Sequence, residues 1–161
     1  RVMGELCKYV DVCIANEEDA ADVFGIKAAD TDVAKGEVNR EGYKEVARQL
    51  AERFGFSKVA ITLRESVSAN DNKWSAMLYD REDCYFSKKY LMHIVDRVGG
   101  GDSFGGGLIC ACLNGYDPQS TIEFAVAASC LKHSIEGDFN MVTIDEVLRL
   151  VGGDTSGRVQ R

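Results

Sequence analysis

The run Asp96-Arg97-Val98-Gly99-Gly100-Gly101-Asp102-Ser103-Phe104 carries the strongest chemical signal in the sequence. The apolar stretch His93-Ile94-Val95-Asp96 reads as a short strand, and the three glycines after it open a helix. Glycines at a helix start leave main-chain N–H groups open to an anion, and the helix adds roughly half a positive charge there. Asp102 falls in the first turn of that helix. A carboxylate rather than a lysine beside an anion hole points to a base that deprotonates a hydroxyl while the hole holds a phosphoryl group. The run is not a Gly-Lys-Ser/Thr phosphate loop. Nor is it Gly-x-Gly-x-x-Gly, because Phe104 stands where the last glycine belongs.

The plainer reading is a glycine-rich helix start that packs close to a strand. Each helical glycine costs about 1 kcal/mol relative to alanine. A second triplet, Gly105-Gly106-Gly107, adds to that cost, so something in this region requires close backbone approach.

The elements that must position these residues alternate along the chain. Val10 to Ala15 reads as a buried strand, and Asn16 as the cap of a helix running to about Val23 and stopped by Gly25. Residues 26–40 read as a polar loop. A helix to Phe54 follows, with Tyr43, Val46, Leu50 and Phe54 on one face. Val59 to Leu63 is a second buried strand. Trp74–Tyr79 and Cys84–Tyr90 form a hairpin across Asp80-Arg81-Glu82-Asp83. The glycine helix shows Phe104, Leu108, Ala111 and Cys112 on one face and ends near Asn114-Gly115. Asp117-Pro118 starts the next helix, whose apolar face is Ile122, Val126, Ser129 and Cys130. Thr143-Ile144-Asp145-Glu146 is a capping box for a last short helix. Residues 1–151 read as part of one α/β domain and 152–161 as a polar tail.

Composition sets bounds on partners. The chain has 161 residues, a net charge of −7 and a pI near 4.9. No basic stripe exists to release counterions from nucleic acid, and no apolar run is long enough to cross a membrane. Six cysteines without a Cys-x-x-Cys pair, and only two histidines, argue against zinc and for buried thiols in a reducing compartment, the cytoplasm. The chain begins at Arg1 rather than Met, which reads as a piece lacking an N-terminal part.

Asp-Arg-Val-Gly-Gly-Gly-Asp-Ser-Phe resembles the C-terminal motif of the ribokinase-like (PfkB-type) carbohydrate kinases, whose common form is Asp-Thr/Arg-x-Gly-Ala-Gly-Asp-x-Phe. Gly100 replaces the usual Ala. Thr62-Leu63-Arg64-Glu65-Ser66, the Asp-Arg-Val variant and the ending from Gly152 to Arg161 are similar to 2-keto-3-deoxygluconate kinases in particular. The resemblance covers nearly all of this chain but only the C-terminal half of a usual family member. It implies a three-layer α/β/α ribokinase-like fold, of which this chain is the nucleotide-binding part.

The resemblance further implies ATP and Mg²⁺ as cofactors, with K⁺ as an added ion, and a sugar acid as acceptor. Asp102 would take the proton from the sugar hydroxyl, and the amides of Gly99, Gly100 and Gly101 would hold the phosphoryl group. Thr62, Arg64 and Ser66 would line the nucleotide site. Ala127 to Ser134, with Ser129 and Lys132, would shape the adenine pocket. Asp96 corresponds to the residue near a monovalent-cation loop, where Val98 replaces a frequent Thr. Asn16-Glu17-Glu18-Asp19 resembles the family's Asn-x-x-Glu motif for Mg²⁺, with Asp19 in place of Glu. The alternative for Asn16 is a plain helix cap with acidic first-turn residues suiting the dipole.

Lys132 and His133 read equally as compensation of a helix C-terminus, His93 as structural, Trp74 as hairpin packing, and Lys88-Lys89 as a solvated pair. The full-length protein would be a homodimer. Rival readings are a kinase of the same fold acting on ribose, fructose or a nucleoside, and a non-catalytic nucleotide-binding module. The early glycine motif and sugar-gripping residues of the family are not found in this chain, so the chain alone is expected to be inactive.

Overall fold

The computed structural model describes residues 2–16, 21–22, 25–26 and 40–153. Val2–Leu6 (α1) and a single turn, Cys7–Tyr9, lead into β1, Val12–Asn16. Next come α2 (Arg40–Phe54), β2 (Lys58–Ser66), β3 (Asp71–Tyr79), β4 (Cys84–Phe86) and β5 (Tyr90–His93). Three helices close the chain: α3 (Gly100–Leu113), α4 (Pro118–Lys132) and α5 (Ile144–Val151). The helix expected after Asn16, the loop over 26–40 and the tail fall largely outside the described residues.

The strands make one five-stranded mixed sheet. β1 and β2 are parallel, with Asn16 opposite Thr62. β2, β3 and β4 then run antiparallel in turn, and β5 pairs with the other end of β3. The β2–β3 pairing is a second hairpin that the sequence did not announce. Its turn is built by Ser68, whose hydroxyl donates to Asp71 while accepting the amides of Asn70 and Asp71.

β-Strand alternation divides the core in two. Val59, Ile61, Leu63 and Met77 face α2, which presents Tyr43, Val46, Leu50 and Phe54 as its spacing requires. Ala60, Ala76 and Leu78 face the other way, onto Phe104 and Leu108 of α3 and Ile122 and Val126 of α4. Helix, sheet and helix pair are the three layers of the α/β/α sandwich. α3 and α4 lie very close: a Cβ on Gly107 would come within 3.1 Å of Ala125 Cα. That contact accounts for one of the six glycines.

Several expectations are corrected. The strand before the glycines is Tyr90–His93, not His93–Asp96. Val95 and Asp96 instead donate their amides to His133 O, at 2.8 and 3.3 Å. Cys112 is exposed, so it does not join the face of Phe104, Leu108 and Ala111. α4 is not amphipathic: Thr121 through Ser129 are all buried, because α3, α5 and the sheet enclose it. Of the six thiols only Cys7 is buried. Asp117 caps α4 through Ser120 N, and the Thr143–Glu146 capping box is present in both directions.

Candidate functional site

The glycine turn is shaped by what lies behind it. Gly99 is the N-cap of α3 with φ of 76°, a left-handed conformation that favours glycine. A Cβ there would fall 2.2 Å from Asp138 O, so any side chain would also collide with backbone. Gly100 sits directly on the imidazole of His133, whose Cε1 would be 2.5 Å from an added Cβ. This is the close approach that the glycines imply, and its partner is a histidine the sequence placed at a helix end.

Gly101 is different: an added Cβ would meet nothing within 4 Å. The fold gives no steric reason for glycine at a helical site where alanine is about 1 kcal/mol better. Such a position suits a ligand that must come close to the main chain.

Among the described residues, the amides of Gly99, Gly101 and Asp102 donate to no protein acceptor. The amide of Gly100 is committed to Arg97 O at 3.3 Å, which corrects its assignment to an anion hole. The available donors are therefore Gly99, Gly101 and Asp102. Asp102 itself is exposed, in the first turn of α3, and lines a cleft of about 560 Å³. Gly106 and Cys110 continue that wall along α3, Ala128 belongs to α4, and Phe139 and Thr143 form the facing segment.

The turn is held from three sides. Asp96 Oδ1 accepts from Val98 N at 3.0 Å, and Oδ2 accepts from Gly137 N at 2.9 Å. These amides hold the Asp96 carboxyl below its ordinary pKa. Arg97 donates to Ala69 O at 2.7 Å and, through its other terminal nitrogen, to the Asn72 side chain at 3.2 Å. The arginine of the motif thus ties it to the β2–β3 turn. Ser129 donates its hydroxyl to Gly100 O at 2.8 Å. His133 Nδ1 lies 2.7 Å from Ser129 O, and its ring packs at a tilt of 54° against Trp74 with centroids 5.4 Å apart. Burial lowers the His133 pKa.

Two residues expected at the adenine pocket are placed elsewhere. Ser129 and Lys132 are fully buried and do not reach the cleft. Ser129 is occupied in supporting the glycine turn, and Lys132 Nζ donates to Ile135 O at 3.1 Å. Of the expected stretch, Ala128 faces the cleft. Thr62, Arg64 and Ser66 share the sheet face that carries α3, since Ala60 of the same alternation packs on Phe104. Thr62 is half-buried, and Arg64 and Ser66 are exposed. Asn16 lies beside Thr62 at the same end of the parallel pair, whereas Asp19 is outside the described residues. Lys88 and Lys89 are exposed, as a solvated pair is; Lys88 Nζ donates to Val151 O at 2.5 Å, and Lys89 pairs with Glu65.

The model of the pfkB family of carbohydrate kinases matches residues 1–143. The chain belongs to that family. A 2-dehydro-3-deoxygalactonokinase of Haloferax volcanii is 28% identical over 112 residues, covering 70% of this chain and 33% of that protein. The crystal structure of 2-dehydro-3-deoxygluconokinase from Thermotoga maritima is 48% identical with a TM-score of 0.86, over 94% of this chain and 44% of that one. A candidate ribokinase II of E. coli, solved in complex with ATP and Mg²⁺, is similar in fold alone, at 16% identity and a TM-score of 0.66. The pfkB-family chain therefore spans less than half the length of these relatives, and its sandwich is the ribokinase-like fold.

Proposed function

We propose that this pfkB-family chain is the nucleotide-binding and proton-abstracting portion of an ATP-dependent sugar kinase whose acceptor is a hydroxyl of a sugar acid, 2-keto-3-deoxygluconate in the first place. One observation carries the reading. Asp102 stands in the first turn of α3, where the open amides of Gly101 and Asp102 meet a glycine that packing does not require. The similarity to a 2-dehydro-3-deoxygluconokinase at 48% identity supports the sugar-acid class.

Gly99 N, Gly101 N and Asp102 N hold the transferring phosphoryl group, and the start of α3 adds its dipole. The Asp102 carboxylate accepts the proton of the attacking hydroxyl, worth on the order of 10² to 10⁴ in rate. The cleft between α3 and Phe139–Thr143 takes the nucleoside, with Gly106 and Ala128 leaving room for it. Asn16 and Thr62, adjacent on the parallel strands, face the phosphate end, where Asn16 and Asp19 would hold Mg²⁺. ATP supplies the phosphoryl group and Mg²⁺ neutralises its charge when bound.

Asp102→Asn in a full-length kinase carrying this sequence should lower turnover at least about 100-fold while ATP affinity stays within about threefold. Near-normal turnover of that variant would remove Asp102 as the base. The 161-residue chain by itself should bind ADP without phosphorylating sugar, read by calorimetry and a coupled assay.

A further inference from the structure

The chain that enters the glycine turn is sewn to the β2–β3 turn. Ile94 N donates to Asn70 O at 2.7 Å, and His93 Nδ1 lies 2.8 Å from Asp71 Oδ1. Arg97 carries this seam furthest toward the glycines. Its two terminal nitrogens donate to Ala69 O at 2.7 Å and to the Asn72 side-chain oxygen at 3.2 Å. Asn72 is 1% exposed, and its side-chain nitrogen donates to Asp71 O at 3.0 Å. Arg97 is the donor that keeps the buried oxygen of that amide paired, and an unpaired one is costly. Neither acceptor carries a charge. The contact therefore uses the flat, two-pronged shape of the guanidinium rather than its charge, and a lysine cannot reproduce it. On the main chain, Arg97 O accepts Gly100 N at 3.3 Å, so the residue that grips the sheet also starts the turn.

We propose that Arg97 is a positioning residue of the anion site: its guanidinium locks residues 94–98 to the β2–β3 turn, and the locked main chain holds the amides of Gly99, Gly101 and Asp102 outward. The arginine does not itself contact phosphate. Its effect on phosphate binding rests on the kinase reading above. The lock itself does not, because it joins two parts of the fold without any ligand.

Two variants of the 161-residue chain, Arg97→Met and Arg97→Lys, separate shape from charge. In both, the amides of Ile94 and Val98 should exchange with solvent at least about tenfold faster, while those of Val46 and Leu50 in α2 keep their rates. Unchanged exchange at Ile94 and Val98 overturns the proposal. So does an equal acceleration throughout the chain, which is a general loss of stability. Calorimetry should show ATP binding weakened about tenfold in both variants, with ADP binding within about twofold of the parent, because the turn meets the transferring phosphoryl group. Parental ATP affinity in Arg97→Lys overturns the proposal, since charge alone then suffices. Should the variants not fold, NMR of the unsubstituted chain decides. The two terminal nitrogens of Arg97 should give distinct, protected proton signals, and one averaged, rapidly exchanging signal overturns the lock. Failure of the unsubstituted chain to bind ATP counts against the kinase reading, and the exchange rates and Arg97 signals then judge the lock alone.

Discussion

At Gly100 and Gly101, two neighbouring glycines serve opposite ends. Gly100 answers to the interior, where the His133 ring leaves no volume for a methyl group. Gly101 answers to the open side of the turn, where a methyl group would meet no protein atom. Their alanine variants should therefore separate folding from binding. Gly100→Ala should destabilise the chain by about 1–3 kcal/mol through overpacking against His133. Gly101→Ala should leave stability unchanged or raise it by up to about 1 kcal/mol, while weakening ATP binding several-fold. Chemical unfolding and calorimetry on the pair give both readings. Equal ATP affinity for Gly101→Ala and the parent chain would remove the close-approach argument. The motif itself was legible because so many glycines at a helix start need an explanation. Which glycine serves which end was not, since His133 is brought in from 33 residues away by the α3–α4 packing.

The end of α4 and the turn before α3 act as one unit. His133 accepts two amides from residues 95–96 on its carbonyl and places its ring under Gly100. Lys132 and His133 read equally as compensation of a helix C-terminus, and His133 Nδ1 does lie 2.7 Å from the last-turn carbonyl of Ser129. Burial withdraws Ser129 and Lys132 from the adenine pocket, since both point into the packed side of α4 rather than to the cleft.

The buried ring gives this unit a pH response. Its folded pKa is lowered, so below its ordinary value of 6.5 the unfolded chain binds a proton that the folded chain refuses. Stability should then rise as pH is raised toward about 6.5, and the gain should be complete above it. Unfolding midpoints from pH 5 to 8, with the His133 imidazole followed by NMR, check this. A ring that protonates at or above the ordinary value contradicts it. The capping signals at Asp117 and Thr143 were readable because they are local, whereas the β2–β3 hairpin was not. Its turn relies on Ser68 and Asp71 side chains rather than on glycine or proline.

Over the whole molecule, the three layers follow from alternation in β2 and β3, and that much was legible. The order of strands was not, because pairing across the sheet is non-local. β1 is the last strand on its side among the described residues, and it pairs with β2. Its Val12 and Ile14 remain 38% and 43% exposed on the face that α3 otherwise covers. Ile14 reaches toward Gly105, at 3.6 Å from where a Cβ would stand, so α3 shelters it in part only.

A sheet margin left greasy along one side is a seed for stacking molecule upon molecule. Preparations of the chain on its own should grow heavier with concentration in the ultracentrifuge, and Ile14→Lys should hold them at single-chain mass by setting a charge on that rim. Mass that stays constant from micromolar to millimolar in the parent chain would show the rim to be harmless. Handling the molecule is thus governed by two aliphatic side chains of its outermost described strand, which must be covered before kinetics mean anything.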